Sequence, residues 1–340
     1  MSDRILVVSP AWVGDMVMAQ TLYKVLREKH PHCEIDVLAP PATLSLVSRM
    51  PEVSKGIRFE FQHGELQIGR RLAFGRELKK NQYQQAIILP NSLKSALVPF
   101  SADIPVRTGF RGEYRYFLLN DMRLLNRRAL PRMIDRFAIL GVENGQPLPE
   151  LQYPKLMINE GSKQALREKL GLQSDKPILG ICPGAEFGDA KKWPEQHYAR
   201  LADDAVERGM QVWIFGGPGD QLTAQQLKAL MRLDNLGDVI DLTGKTSLLE
   251  AVDLLSCCRL VVSNDSGLMH IASAVDCSVA VIYGSTSPGF TPPLTDKLEI
   301  VSLDLPCSPC FKRTCPLKHK DCLNKLLPEE LIPLLETSSR

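Results

Sequence analysis

The chain has 340 residues and a mass of 37.9 kDa, too long for one ordinary domain and suited to two of about 150 residues each. Hydrophobic residues make up 44% and charged residues 24%, the balance of a folded globular protein rather than a disordered one. Lys and Arg total 41 against 39 Asp and Glu, a net charge of +2, which argues against a protein that coats nucleic acid.

In chain order, Ile5-Leu6-Val7-Val8 is the continuous apolar run of a parallel strand buried on both faces. Residues 9–14 break it, and Asp15 opens a helix whose Met16, Met18, Ala19, Leu22, Val25 and Leu26 are spaced to face a sheet. Residues 35–38 are the next strand, with further strands over 85–89 and near Val106. A second series follows the proline-punctuated stretch 146–154. It reads as strand 177–181, loop 182–190, a helix from about Glu195, strand 212–215, a helix from about Asp220, strand 239–240, a helix from Ser247, strand 260–263, a helix from Ser266 and strand 279–283. This alternation implies parallel sheets with helices on both faces. The expected fold is α/β, two doubly wound Rossmann-like domains facing a central cleft, divided as residues 1–155 and 156–340. Residues 328–336 read as a short amphipathic helix packed back onto one domain. No apolar run approaches the roughly 20 residues of a membrane span, and MSDRILVV is too short for a signal-peptide core. A cytoplasmic location is expected, where the nine cysteines are thiols or metal ligands rather than a disulfide framework.

Ligands of doubly wound sheets sit at the carboxyl ends of strands, so the loops after the strands are where chemistry is sought. Gly14 allows a tight turn or a close approach to a ligand. Asp15 beside it is either a helix N-cap or a base for an attacking hydroxyl. The GxGxxG spacing of dinucleotide sites is absent. In VVSNDSGLMH, at 261–270, a buried strand runs through small polar residues into a helix. Backbone N–H groups at Ser266 and Gly267, with the positive end of the helix dipole, suit a phosphate. His270 lies one turn further on the same face. Asp265 would repel a phosphate and suits a sugar hydroxyl; the plainer reading makes Asp265 the cap and His270 a packing residue. Loop 183–194, PGAEFGDAKKWP, ends in Lys191 and Lys192, compact cations for a diphosphate or simply a solvated pair. Glycine-bearing loops also lead to Asp220 and to Thr246, the latter without the upstream spacing of a P-loop. Residues 107–136 hold eight arginines against three acids, a solvated face or a site for an anionic acceptor or anionic membrane surface. Cys307, Cys310, Cys315 and Cys322, with His319 among them, read as a structural zinc site, as reduced thiols or as a disulfide.

Together these blocks resemble the ADP-heptose:lipopolysaccharide heptosyltransferases, GT-B fold glycosyltransferases of Gram-negative bacteria, over essentially the whole length. The resemblance rests on SPAWVGDMVMAQTLY at 9–23, LVSRMPEV at 46–53, LPNSLKSALVPF at 89–100 and RTGFRGEYRYFLLND at 107–121. It continues with PGAEFGDAKKWP at 183–194, DLTGKTSLLE at 241–250, NDSGLMHIA at 264–272 and CSPCFKRTCPLKHKDC at 307–322. The PNSLKSAL and Cys-rich blocks separate it from the heptosyltransferase I branch. The resemblance implies inverting, metal-independent transfer of L-glycero-D-manno-heptose from ADP-heptose to the first heptose on Kdo2–lipid A. By it, Asp15 is the general base and Lys191 neutralises the departing diphosphate. Ser266, Gly267 and His270 bind the same phosphates, Asp265 the heptose hydroxyls, the backbone near Thr246 the adenine and Asp220 the ribose. Gly14, Lys94, Arg107, Arg111 and Arg115 fall to the acceptor in the first domain, while the nucleotide falls to the second. The heptosyltransferase I branch carries threonines where this chain has Glu186 and Phe187, so no phosphate role passes to Glu186. No cofactor is required on this reading, any zinc being structural at the cysteines. The implied partners are ADP-heptose and a lipid-linked acceptor, with peripheral contact with the inner membrane and no nucleic acid. A related glycosyltransferase with another donor, or a non-catalytic binding module, are the rival readings.

Overall fold

Short runs of branched apolar residues build two six-stranded sheets, and every strand pairing among the described residues is parallel. The computed structural model describes residues 4–60, 65–172 and 175–337, and the chain divides into two compact units, Met1–Pro154 and Lys155–Arg340.

The first unit runs β1 (Arg4–Val8), α1 (Val13–Lys29), β2 (Glu34–Ala39), α2 (Pro41–Val47), β3 (Lys55–Arg58), α3 (Ile68–Leu78), β4 (Gln85–Ile88), α4 (Leu93–Ser101), β5 (Val106–Phe110), β6 (Asp121–Arg123) and α5 (Met133–Ala138). Its sheet order is β3-β2-β1-β4-β5-β6. Val7 sits in register with Val37 on one side and Ile87 on the other, and all three are shut off from water. Helices cover both faces, which is why β1 and β4 are apolar from their second residue on, Ile5–Val8 and Ala86–Ile88. The amphipathic α1 buries Met16, Met18, Leu22 and Leu26, each worth about 1.5–3 kcal/mol of apolar burial.

The second unit runs α6 (Glu160–Lys169), β7 (Ile178–Cys182), α7 (Glu195–Glu207), β8 (Gln211–Ile214), α8 (Gln221–Leu230), β9 (Val239–Asp241), α9 (Leu248–Leu255), β10 (Leu260–Asn264), α10 (Gly267–Ala274), β11 (Ser278–Tyr283), β12 (Leu298–Ser302), α11 (Asp321–Asn324) and α12 (Leu334–Thr337). The order β12-β11-β10-β7-β8-β9 repeats the topology of the first sheet. In each unit the chain adds strands on one side, then returns to the other. That reversal sets a switch point between β1 and β4 in the first unit and between β7 and β10 in the second. No helix among the described residues is long and apolar enough to cross a membrane.

The single C-terminal helix expected over 328–336 is instead a 3-10 turn, Pro328–Glu330, followed by the four-residue α12. Pro333 lies between them and cannot donate into a continuous helix. The segment does pack on the second unit, where Leu331 and Leu335 join the core of Trp193, Tyr198 and Leu201.

Two arginines assigned to the acceptor turn inward. Arg115 is 1% exposed, and its guanidinium donates to the carbonyls of Pro90 and Phe110, each at 2.7 Å, and to Asn91 Oδ1 at 3.1 Å. Burial pulls its pKa down to about 10, so it remains a cation at neutral pH. Arg107 donates to the carbonyls of Leu118 and Ile104 and lies over the Phe100 ring. Removing Arg115 strands buried carbonyls that hydrogen-bond a charge. Arg115→Met is therefore expected to lower the unfolding free energy by about 2–4 kcal/mol. Arg111→Met, an exposed change, should stay within about 0.5 kcal/mol, both read by urea denaturation.

Candidate active site

The loops that leave β7 and β10 flank the switch point of the second unit, and Asn264 at the end of β10 joins them. Its Oδ1 accepts from the backbone N–H of Trp193 and from the Tyr198 hydroxyl, each at 3.0 Å, while its Nδ2 donates to the Pro183 carbonyl at 2.7 Å. Trp193 in turn donates from Nε1 to the carbonyl of Leu326 at 2.8 Å. These bonds fix where the loop of Lys191 lies. Lys191 Nζ sits 2.6 Å from Asp265 Oδ2 and 3.2 Å from the Asp265 carbonyl, in an ion pair largely withdrawn from water.

Ser266, not Asp265, is the N-cap residue of α10, and its side chain makes no capping bond. The helix thus begins beside Lys191 with its first N–H groups uncapped by that hydroxyl, an arrangement suited to an anion. His270 is buried one turn on. Burial lowers its pKa to about 4, with Asp265 opposing and Lys191 adding to the shift. It is a neutral imidazole at pH 7, able to donate one hydrogen bond but no charge. Asp220 follows β8 and accepts from the Gly217 N–H at 2.9 Å. It lies against Gly184, where a Cβ would meet its Oδ1 at 2.4 Å. Thr246 follows β9, half-buried, next to Ser247, which caps α9. The expected donor residues therefore lie on the loops that follow β7, β8, β9 and β10 or, for Gly267 and His270, in the first turn of α10.

Sequence reasoning missed four participants, Phe187, Gly188, Asn264 and Arg313. Phe187 carries Lys191 Nζ at 5.0 Å and the Arg313 guanidinium at 5.5 Å from its ring centroid. The Arg313 carbonyl accepts from Ala190 N–H at 3.1 Å. Gly188, at φ +152°, brings its backbone so close that a Cβ would lie 2.4 Å from that carbonyl oxygen, so only glycine fits there. Asn264 carried a legible signal, a polar residue ending a buried strand. Arg313 carried none, because its contact spans more than a hundred residues.

The Cys-rich segment clips onto this loop. Cys307, Cys310, Cys315, Cys322 and His319 line one cavity with Ala190 and Gly284, Phe311 N–H donates to the Ser285 carbonyl at 2.7 Å, and Lys320 pairs with Asp189 at 3.1 Å. The cysteines are free thiols. Among the described residues no three His, Cys, Asp or Glu side chains form a set that would hold a metal ion, so the zinc reading finds no ligand shell here. The thiols also differ in environment. Backbone N–H groups of residues 317–320 lower the Cys315 pKa, whereas burial, then the neighbouring cysteines, raise that of Cys322.

In the first unit, Gly14 is buried and Asp15 lies in the first turn of α1. The N-cap position belongs to Trp12, so Asp15 is not the cap. Lys94 follows β4 at the other side of that unit's switch point, half-buried in the first turn of α4. Arg111 follows β5 with an exposed side chain, and its N–H donates to the Arg123 carbonyl at 2.8 Å.

Two doubly wound parallel sheets with an anion-suited helix terminus at a switch point are the architecture of GT-B glycosyltransferases. Residues 71–321 match Glycosyltransferase family 9 (heptosyltransferase), and the chain belongs to that family; it is a glycosyltransferase. It is 45% identical over 306 residues to lipopolysaccharide heptosyltransferase 2 of Escherichia coli (strain K12), covering 88% of each chain. It is 44% identical over 310 residues to lipooligosaccharide heptosyltransferase 2 of Haemophilus influenzae, again with 88% of each covered. The solved E. coli ADP-heptose LPS heptosyltransferase II superposes with a TM-score of 0.88 at 39% identity, covering 98% of both chains.

The depressed pKa of His270 sets a pH dependence. Between its folded value of about 4 and its ordinary value of about 6.5, the unfolded chain binds a proton that the folded chain does not. Stability is therefore expected to fall as pH drops through that window, by up to about 3 kcal/mol from this group. His270→Gln should remove that part of the slope, measured as denaturation midpoint against pH.

Proposed function

We propose that this chain transfers L-glycero-D-manno-heptose from ADP-heptose to the first heptose of the lipopolysaccharide inner core on Kdo2–lipid A, with inversion and without a required metal. The observation that carries this reading is Lys191, held 2.6 Å from Asp265 where α10 begins, on the two loops that flank the switch point. The names of the relatives, lipopolysaccharide heptosyltransferase 2 among them, support the choice of sugar and acceptor.

On this reading the diphosphate lies against the N–H groups of Ser266 and Gly267 and against Lys191. His270 donates a hydrogen bond, Asp265 takes heptose hydroxyls, the backbone near Thr246 takes adenine and Asp220 takes ribose. The acceptor falls to Gly14, Lys94 and Arg111; Arg107 and Arg115, committed to backbone carbonyls, shape the surrounding turn. Asp15 removes the proton of the acceptor hydroxyl as its oxygen attacks the anomeric carbon. The bond from that carbon to the β-phosphate oxygen breaks with its electron pair going to ADP. The positive end of α10 and Lys191 stabilise the charge that develops there. A lipid-linked acceptor places the enzyme at the cytoplasmic face of the inner membrane.

The test is transfer to purified heptosyl-Kdo2–lipid A in the presence of a chelator, with UDP- and GDP-sugars in parallel. Preference for another donor, or loss of turnover on chelation, overturns the assignment. Asp15→Asn is expected to lower kcat by about 10²–10⁴-fold with ADP affinity unchanged by calorimetry; turnover near that of the parent removes Asp15 as base. Lys191→Ala is expected to weaken ADP binding by about tenfold or more. Because that change also leaves Asp265 unpaired, Lys191→Ala/Asp265→Asn separates lost attraction from new repulsion. Affinity equal to the parent in both variants removes Lys191 from the diphosphate site.

A further inference from the structure

We propose that the turn after β5, residues 112–118, is a docking loop that seats the first unit on an anionic bilayer; this rests on the proposed function only in taking the acceptor as lipid-linked. Phe117 is 90% exposed and Tyr114 87%, with Tyr116 at 50% and Leu124 at 68%. Single apolar side chains on a surface need no explanation, but a cluster on one connection does.

The turn is held from beneath rather than loose. Arg115, between the two tyrosines, reaches inward to the carbonyls of Pro90 and Phe110. Glu113 accepts from the Leu93 N–H at 2.8 Å, and Asn120 accepts from the Arg107 N–H at 2.8 Å. Glu113 and Tyr114 both take left-handed backbone conformations, φ 41° and 52°, which cost energy in residues other than glycine. Polar side chains thus fold in while the aromatic ones stand out, the reverse of ordinary partitioning.

The exposed charge of the stretch 107–136 is one-sided. Asp121 is engaged by Arg123 and Thr108, Asp135 by Arg132, and Glu113 by the start of α4. All three acids of the stretch 107–136 are consumed locally. Arg111, Arg127 and Arg128 face water with no carboxylate partner among the described residues. The backbone bond from Arg111 to Arg123 brings Arg111 and Leu124 off the sheet side by side. Exposed aromatic side chains on a stretch that also carries the exposed Arg111, Arg127 and Arg128 match the headgroup level of a membrane, where amphipathic rings insert and cations meet anionic lipid. A second copy of this chain would instead set arginine against arginine.

The test uses the full chain in flotation with vesicles of phosphatidylethanolamine and phosphatidylglycerol, against phosphatidylcholine alone, at low and high salt. The parent is expected to float with the anionic vesicles at low salt. Tyr114→Ser/Phe117→Ser should reduce partitioning by about tenfold or more at either salt. Arg127→Gln/Arg128→Gln should do so by a similar factor at low salt only. Both variants should keep the parental ADP affinity and unfolding midpoint. The proposal is overturned if the parent prefers neither vesicle, if both variants float like it, or if the loop changes abolish a dimer seen in sedimentation velocity. Absence of ADP binding by the parent would instead sink the proposed function and leave the vesicle result standing.

Discussion

An ion pair withdrawn from water organises the second unit. Lys191 and Asp265 come from loops that follow different strands, and each would be costly to bury alone. Together they satisfy one another only if both loops are held within a fraction of an ångström. Much of the surrounding structure does that holding. Asn264 ties β10 to Pro183 and Trp193, Trp193 reaches the C-terminal segment, and the Arg313 carbonyl clamps Ala190 across Gly188. The pair also answers a puzzle in the loop itself, an acid next to an anion-suited helix start. With an ammonium between them, a carboxylate and an anion at that helix start would share a counter-charge rather than repel.

The same topology appears in both units, and its consequence is geometric. A sheet that adds strands to one side and then the other leaves a gap above its centre, where two adjacent loops diverge. In the second unit that gap holds Lys191 and the start of α10. In the first it is flanked by the first turns of α1 and α4, which bear Asp15 and Lys94. Neither assignment depends on a loop of unusual sequence; both follow from which strands are neighbours. That is why a polar residue just past a central strand carries more functional weight than the same residue past an edge strand.

Central strands were legible because burial on both faces forces an uninterrupted apolar run, as in Ile5–Val8 or Leu260–Val262. The edge strands β3 and β12 were not: Lys55–Arg58 and Leu298–Ser302 are largely exposed, so packing places no such demand on them. The helices between 41 and 138 escaped although α2 opens on a proline, Pro41; at six to eleven residues each they are too short to show a sustained 3.6-residue period. Position within a helix was also beyond the sequence. Whether Asp15 or Trp12 is the cap turns on a three-residue difference in where α1 begins, and Asp265 yields the cap to Ser266 by a shift of one. The four cysteines were read correctly as a cluster. Spacing alone does not say where each sulfur points, and ligation depends on that direction.

Arginine shows the limit most clearly. Eight lie between 107 and 136, and composition treats them as one basic run. The fold divides them. Arg107, Arg115 and Arg123 spend their guanidinium groups on backbone carbonyls, doing the work of internal struts. Arg111, Arg127 and Arg128 stay in water. A guanidinium has five donors in a rigid fork, so a turn with many unpaired carbonyls draws it inward, and one without leaves it outside. The three acids of the stretch are consumed in the same accounting, which turns a modest sequence imbalance into an unopposed cationic surface. The second unit shows a similar economy, with one lysine matched to one aspartate and Arg313 set on an aromatic ring nearby. A chain of net charge +2 can thus leave several cations of one stretch unopposed and remain nearly balanced in total.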